Sequence, residues 1–321
     1  MLLIRGQHNL RETHRGCVAT IGNFDGVHLG HQAVFEALKR RADEYGLPSL
    51  VITFEPQPLE YFRPLEAPPR LMRVREKLEF IERAGIDRVL LLRFDQDLAL
   101  MPAEDFIREY LVEALGVRHL YVGDDFRFGY QRRGDFQLLC SLGGQWSFEV
   151  ESLQTVSDDC GRISSTRIRE ALAVGDLATA RCCLGRDFSI SGRVSHGHKR
   201  GRTIGFPTMN VGLARRRSPI RGVYAVEVDG LGELPYPGVA NVGNRPTLEG
   251  DDRYLLEVHL FDFDREVYGE QVRVRFIEHI REEKKFESFD ALRTQILRDA
   301  EQARAALARG ASQCITHQAT S

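Results

Sequence analysis

Gly22-Asn23-Phe24-Asp25-Gly26-Val27-His28-Leu29-Gly30-His31 decides how the first half of the chain is read. It follows a short apolar run, Val18–Gly22, and opens a helical pattern that continues from Gly30 to about Tyr45. A strand that turns into a helix aims the free N–H groups of the first helical turn, and the positive end of the helix dipole, at any anion placed there. Glycines such as Gly22 let the backbone come close to that anion. His28 and His31 are three residues apart and can share one side of the first turn. Two imidazoles so placed can donate hydrogen bonds to charge developing on a phosphoryl group. The plainer alternative is a pair of capping or surface histidines. Zinc is a further option, but no third and fourth ligand stands nearby.

Outward from this turn, Ser49–Phe54, Arg88–Phe94 and Arg118–Gly123 repeat the strand pattern. Their near-continuous apolar character suits strands buried on both faces. Helical segments are expected at about 73–84 and from Pro102, with Glu104 and Asp105 in the first turn, to Gly116. Strand–helix alternation implies a parallel, doubly wound α/β sheet. Two more helices are expected at roughly 164–174 and 176–184, with Asp176 as N-cap and Gly185 as terminator. From Ile190 the pattern changes. Ile190–Ser195, Val223–Val228, Pro237–Val242, Tyr254–Phe261 and Gln271–Ile280 are β-like runs separated by glycine-rich turns, which indicates an antiparallel barrel or sandwich. A closing helix is expected from the N-cap Ser288 to about Leu307, with a frayed tail from Gly310. The domains are therefore read as 1–184 and 185–321.

The 321 residues fit two domains. Apolar residues at 42% and charged residues at 28% exclude a disordered or low-complexity chain. Lys+Arg at 44 against Asp+Glu at 46 gives a formal charge of -2, so no global excess points to nucleic acid or membrane. No apolar run nears the roughly 18 residues of a membrane span, and the start turns polar after four residues, unlike a secretion signal. The six cysteines, at 17, 140, 160, 182, 183 and 314, contain no CxxC pair and read as reduced, mostly buried thiols of a cytoplasmic protein.

Further motifs could join the first site. Ser164-Ser165-Thr166-Arg167-Ile168-Arg169 sits at a helix start, where the hydroxyls of Ser165 and Thr166 and the Arg169 guanidinium can hold phosphates, or simply cap a helix and face solvent. Val122-Gly123-Asp124-Asp125-Phe126-Arg127-Phe128-Gly129 ends a strand at the edge that lines the ligand crevice of an open α/β sheet. Phe128 and Phe126 could stack on an aromatic ring, although core packing is the commoner role. Thr53-Phe54-Glu55-Pro56-Gln57-Pro58 ends another strand at the same edge.

The second half has its own phosphate signal. Between Arg193 and Arg221 there are eight Lys/Arg and no Asp/Glu, interleaved with Gly197, Gly201 and Gly205. Glycines beside Lys199, Arg200 and Arg202 suit a loop over nucleotide phosphates better than a flat nucleic-acid face; a solvated basic loop is the bland alternative. Thr208 and Asn210 share one face if extended, and their oxygens could ligate Mg²⁺ together with substrate phosphates. Glu257 interrupts the apolar run Leu255–Leu260. It is either the outward residue of an alternating strand or a general base.

These motifs carry a resemblance. From about residue 15 to 307 the chain resembles the bacterial bifunctional riboflavin kinase/FAD synthetases, through GNFDGVHLGHQ (22–32), TFEPQP (53–58), VGDDFRFG (122–129), ISSTRIRE (163–170), GRVSHGHKRGRTIGFPTMN (192–210), GVANVGNRPTLEG (238–250) and LEVHLFDFDREVYGE (256–270). The resemblance implies an N-terminal Rossmann-like nucleotidyltransferase domain and a C-terminal riboflavin kinase barrel. It implies that Glu257 is the base for the riboflavin 5′-hydroxyl and that Thr208 and Asn210 bind Mg²⁺ and phosphate. The loop with Gly201, Arg202 and Gly205 covers ATP. It further implies that His28 and His31 stabilise charge during adenylylation of FMN. Asn23 and Asp25 then border the ATP, Ser165, Thr166 and Arg169 hold phosphates, and Asp125 and Phe128 face the flavin. Expected partners are riboflavin, FMN and ATP, with FMN and FAD as products, no nucleic acid, no membrane and at most a transient homo-oligomer.

Two positions depart from the family pattern. Gln57 stands where the family often has His in FEPHP, keeping a hydrogen-bond donor but losing the capacity for charge. Met209 stands where PTAN has Ala, and an extended segment turns it away from the Thr208–Asn210 face. Other readings are a kinase whose first half only binds nucleotide, a nucleic-acid-binding protein using the basic loop, and a flavin-storage protein. Salt dependence and ATP consumption discriminate among them.

Overall fold

The computed structural model describes residues 1–153, 155–195, 206–213, 217–245 and 253–318. They form two compact units, one of Met1–Pro68 with Met72–Ser164 and one of Pro69–Leu71 with Ser165–Ser321.

The first unit is built on six parallel strands: β1 (Leu2–Arg5), β2 (Cys17–Ile21), β3 (Ser49–Glu55), β4 (Arg88–Arg93), β5 (Val117–Gly123) and β6 (Glu149–Leu153), in the order β1-β4-β3-β2-β5-β6. Alternate residues of each central strand feed opposite layers. Cys17, Ala19 and Ile21 of β2 join Leu50, Ile52, Leu90 and Leu92 in one core; Val18, Val51 and Val89 join the other. The second core is completed by α1 (Leu29–Tyr45) through Phe35 and Leu38 and, after the short α2 (Pro58–Phe62), by α3 (Val74–Arg83) through Ile81. The first core is completed by α4 (Gln96–Leu100), α5 (Ala103–Phe106) with its continuation Ile107–Ala114, and α6 (Phe136–Trp146). A minimal hairpin, β7 (Ser157–Asp158) with β8 (Gly161–Arg162), ends the unit.

The doubly wound sheet agrees with the sequence reading, with two additions. The edge strands β1 and β6 were not anticipated. β1 is only four residues long, too short to read as a strand from its apolar start, and β6 carries two glutamates in five residues. The helix expected from Pro102 to Gly116 changes to wider, π-type turns at Ile107–Ala114. The cysteine expectation is corrected: Cys17 and Cys183 are buried, but Cys140, Cys160 and Cys182 are exposed. Burial pushes the Cys17 thiol up to about 12, so it is inert packing.

The second unit begins with α7 (Ser165–Ala173) and α8 (Leu177–Leu184). Asp176 caps α8 by accepting the Thr179 N–H at 2.9 Å, and Gly185 ends it in a left-handed conformation (φ 70), both as expected. By contact these helices group with the barrel, ahead of the boundary read from sequence. The barrel is closed and antiparallel. It consists of β9 (Ser189–Ser195), β10 (Met209–Gly212), β11 (Gly222–Asp229), β12 (Tyr236–Arg245), β13 (Arg253–Leu260) and β14 (Gln271–Arg281), in the order β10-β13-β12-β11-β14-β9. Only β10, four residues long, was missed.

The closing helix α9 (Phe289–Gln318) starts where expected, with Ser288 Oγ accepting the Ala291 N–H at 3.2 Å. Ala300, Ala303 and Ala306 form a small-residue stripe against Val223 and Ala225 of β11 and Val239 of β12. The helical backbone of α9 runs to Gln318, past the expected end near Leu307. Propagating an existing helix costs far less than starting one.

Candidate active sites

In the first unit the strand order reverses beside β2: β3 lies on one flank and β5 on the other. The carboxyl ends of β2 and β5 therefore border the crevice where open α/β sheets take ligands. The loop leaving β2 is tightly held and strained. Phe24 and Val27 adopt φ of 47 and 38, unfavourable for any side chain and most of all for β-branched valine. The Gly22 N–H donates to Ile52 O at 3.1 Å, and Gln32 Nε2 donates to Val27 O at 3.0 Å.

His28 is the N-cap of α1, and its Nδ1 accepts the His31 N–H at 3.4 Å. An accepting Nδ1 carries no proton, so the neutral His28 ring keeps its proton on Nε2 as a donor. The His28 and His31 rings stack at 3.6 Å with 19° between planes, and Phe24 meets His31 edge-on at 5.2 Å. Gly30 permits this packing, because a Cβ there would stand 3.2 Å from two atoms of the His28 ring. Asp25 is buried at 3% exposure, and its carboxylate accepts the Met72 N–H at 3.2 Å. Asn23 is exposed, while its carbonyl accepts Thr53 Oγ1 at 3.4 Å. Lys77 Nζ in turn donates to Thr53 Oγ1 at 3.1 Å.

Gly22, Asn23, Asp25, His28 and His31 thus sit in one loop, and Asp125 and Phe128 follow the neighbouring strand β5. Asp125 is exposed and accepts Arg162 Nη2 at 3.1 Å. Phe128 is half-buried, stacks on Phe126 at 5.3 Å and packs against the core at Phe106. Gln57 is buried and caps α2, its N–H donating to Glu60 Oε2 at 2.9 Å. Ser165, Thr166 and Arg169 lie in the first turns of α7, within the second compact unit, where Arg169 Nε donates to Pro69 O at 2.7 Å.

In the barrel, Asn210 of β10 pairs with Glu257 of β13, and Glu257 pairs with Asn241 of β12. Directly paired residues share a face, so these three polar side chains form one row across three strands. The opposite row, Met209, Val258 and Ala240, is buried in the core, so Met209 is indeed turned away from Asn210. Thr208 is exposed at the entry to β10 and lines a cleft with Val194, Met209, Leu260 and the segment from Phe263 to Tyr268. Gly201, Arg202 and Gly205 lie outside the described residues.

Sequence reading did not single out Lys77 or His259. Lys77 is four residues before Ile81 on the inward stripe of α3, which was the available signal. His259 is two residues after Glu257, hence on its face. Its Nδ1 donates to Pro207 O at 2.8 Å, and its ring meets Phe206 at 4.8 Å. Burial holds His259 below the usual imidazole pKa, against the opposing pull of the Pro207 carbonyl.

An α/β sheet with two histidines at the helix start of its switch point defines a nucleotidyltransferase-like unit. The barrel adds a polar row, Asn210, Glu257 and Asn241, and a cleft bordered by Thr208. Comparison with known proteins matches two parts of the chain to two family models. Residues 10–167 match the family model described as FAD synthetase, and residues 184–307 match the one described as riboflavin kinase. The bifunctional riboflavin kinase/FMN adenylyltransferase of Escherichia coli K12 is 53% identical over 93% of this chain and 96% of its own. That of Pseudomonas fluorescens is 52% identical over 95% and 97%, and that of Haemophilus influenzae 50% over 95% and 99%. A crystal structure described as a macrolide-efflux protein from Streptococcus pneumoniae is 33% identical, with a TM-score of 0.79 over 95% of this chain and 99% of that one. Among the described residues no helix is long and apolar enough to cross a membrane. The chain belongs to the family of bifunctional riboflavin kinase/FMN adenylyltransferases; it is a kinase and a nucleotidyltransferase in one polypeptide.

Proposed function

We propose that the chain makes FAD from riboflavin in two ATP-consuming steps, with the residues above in defined roles. The observation that carries the assignment of steps is the match of the FAD synthetase model to 10–167, which hold the parallel sheet except its edge strand β1, and of the riboflavin kinase model to 184–307, which hold the barrel. We take 1–184 as the adenylyltransferase domain and 185–321 as the kinase domain, because the kinase match begins at 184.

In the kinase step the riboflavin 5′-hydroxyl attacks the γ-phosphate of ATP. Glu257 orients the hydroxyl and takes its proton as the O–P bond forms and ADP leaves. Asn210 is the row neighbour of Glu257, and Thr208 opens onto the adjacent cleft. We assign the nucleotide to this cleft, with Gly201, Arg202 and Gly205 as its proposed phosphate-binding residues. Mg²⁺ prefers oxygen ligands shared between one or two protein groups and substrate phosphates, and the Thr208 hydroxyl and Asn210 amide oxygens suit it. When bound it neutralises charge on the transferred phosphoryl group.

In the adenylylation step an FMN phosphate oxygen attacks the α-phosphate of ATP, and pyrophosphate leaves. His28, through Nε2–H, and His31 donate to the developing charge. Asn23 borders the nucleotide, and Asp25 holds the loop against Met72. Ser165, Thr166 and Arg169 hold phosphates, and Asp125 and Phe128 border the flavin. The cytoplasm, which supplies ATP, is the proposed location.

The test is chromatography of flavins after incubation with riboflavin, ATP and Mg²⁺. FMN followed by FAD is expected. FMN alone would remove the adenylyltransferase reading, and bound but unconverted riboflavin would favour a flavin-storage protein.

A further inference from the structure

We propose that Lys77 is a positioning residue for adenylyl transfer: acting through Thr53, it fixes the Asn23–Phe24 peptide so that the Phe24 N–H faces the ATP phosphates. The inference rests on the reading that adenylylation takes place at the 22–31 turn.

Lys77 is 1% exposed and Thr53 is fully buried, at 0%. Burying a lysine costs stability that an apolar side chain of similar length would not, so its retention on the inward stripe of α3 calls for a use. The hydrogen bonds have one direction. Lysine only donates, so Thr53 Oγ1 accepts from Lys77 Nζ at 3.1 Å and spends its own proton on Asn23 O at 3.4 Å. The chain runs from α3 through β3 to the loop after β2 and sets which way the Asn23 carbonyl points.

In a trans peptide the C=O of one residue and the N–H of the next point in opposite directions. Pulling the Asn23 carbonyl toward Thr53 therefore aims the Phe24 N–H away from β3. Phe24 is 4% exposed, and among the described residues its N–H donates to no protein acceptor. A buried amide without a protein partner is costly unless something else accepts from it. At the head of a loop that leads into the N-terminus of α1, the fitting acceptor is a phosphate oxygen. The left-handed φ of 47 at Phe24 shows that this peptide is held against its own preference. The second link from the α3 side, Met72 N–H to Asp25, fixes the other side of Phe24.

The experiment compares Thr53→Val, Thr53→Ser and Lys77→Met in the full chain. FAD formation from FMN is followed at varied ATP and varied FMN. Riboflavin kinase activity of the same samples is the internal control, and fluorescence of Trp146, the single tryptophan, reports folding of the first unit. Thr53→Val and Lys77→Met are expected to raise the KM for ATP about tenfold or more, the worth of one hydrogen bond in a charged network, while the KM for FMN holds. Thr53→Ser, which keeps the hydroxyl, should recover the ATP KM. An unchanged ATP KM in Thr53→Val, or equal losses in Val and Ser, overturns the proposal. So does a rise of both KM values in step with weakened Trp146 unfolding, which would make Lys77 purely structural. Absence of FAD formation by the unsubstituted protein would instead overturn the assignment of the reaction, and the proposal with it.

Discussion

Asn210 and Glu257 stand directly opposite each other across the β10–β13 pair, and Asn241 extends their row by one strand. The row sets an amide on each side of the Glu257 carboxylate, the proposed general base. Glu257→Gln keeps shape and hydrogen-bonding capacity but removes the carboxylate assigned that role. Riboflavin phosphorylation should fall about 10²-fold or more, the usual worth of general-base catalysis. FAD formation from supplied FMN should persist, and separate assays of the two steps check this.

Gly30→Ala separates folding from chemistry in the other unit. Alanine is the better helix former by about 1 kcal/mol, so stability should hold or rise. The new methyl group, however, stands 3.2 Å from the His28 ring, which must give by a few tenths of an ångström. Adenylylation should drop roughly tenfold, because catalytic groups tolerate little misplacement. Thermal unfolding and FAD formation, measured on the same preparation, test both halves of the expectation.

His259 makes the barrel sensitive to acid. Its folded pKa lies below the ordinary 6.5 because the ring is buried, so below pH 6.5 the unfolded chain binds the proton first. The stability it contributes is therefore complete above that pH and is lost as pH falls toward the folded value. His259→Gln can still donate to Pro207 O but takes up no proton. Calorimetry from pH 7 to pH 5 should show a shallower decline for the variant than for the unsubstituted chain.

Arg281 and Asp299 tie α9 to β14. Asp299 is 3% exposed and accepts from Nε at 2.9 and 3.0 Å and from Nη2 at 2.7 Å, while Gln295 Nε2 adds a further bond at 2.8 Å. Asp299→Ala leaves the guanidinium without its carboxylate and should destabilise the second unit by about 3 kcal/mol. Asp299→Asn should lose less, and urea unfolding compares the two.

The parts of this protein legible in sequence are those whose signal is local. The strand–helix turn at 22–31 announces itself because glycine and histidine spacing act within one helical turn. The caps Asp176 and Ser288 act within three residues. The missed strands β1 and β10 have four residues each, and β6 alternates charge with apolar residues at a sheet edge, so none shows a period long enough to read. Lys77 and His259 escaped for a different reason. A lysine in an amphipathic helix looks solvated until the fold buries it, and a histidine two places from a glutamate gains meaning only when Pro207, far away in sequence, arrives beside it. Three exposed cysteines were misread because composition reports compartment, not depth.

Strand β13 writes two messages in alternate letters. Leu256, Val258 and Leu260 are buried in the barrel, while Glu257 and His259 look the other way. A substitution in one phase edits the core, and one in the other phase edits the polar face that carries the proposed base. Each can be tuned without rewriting its neighbour. Loss or gain of a single residue in this strand would exchange the two texts, placing a glutamate in the core and leucines on the polar face. Selection can therefore adjust this strand by replacement far more readily than by insertion or deletion.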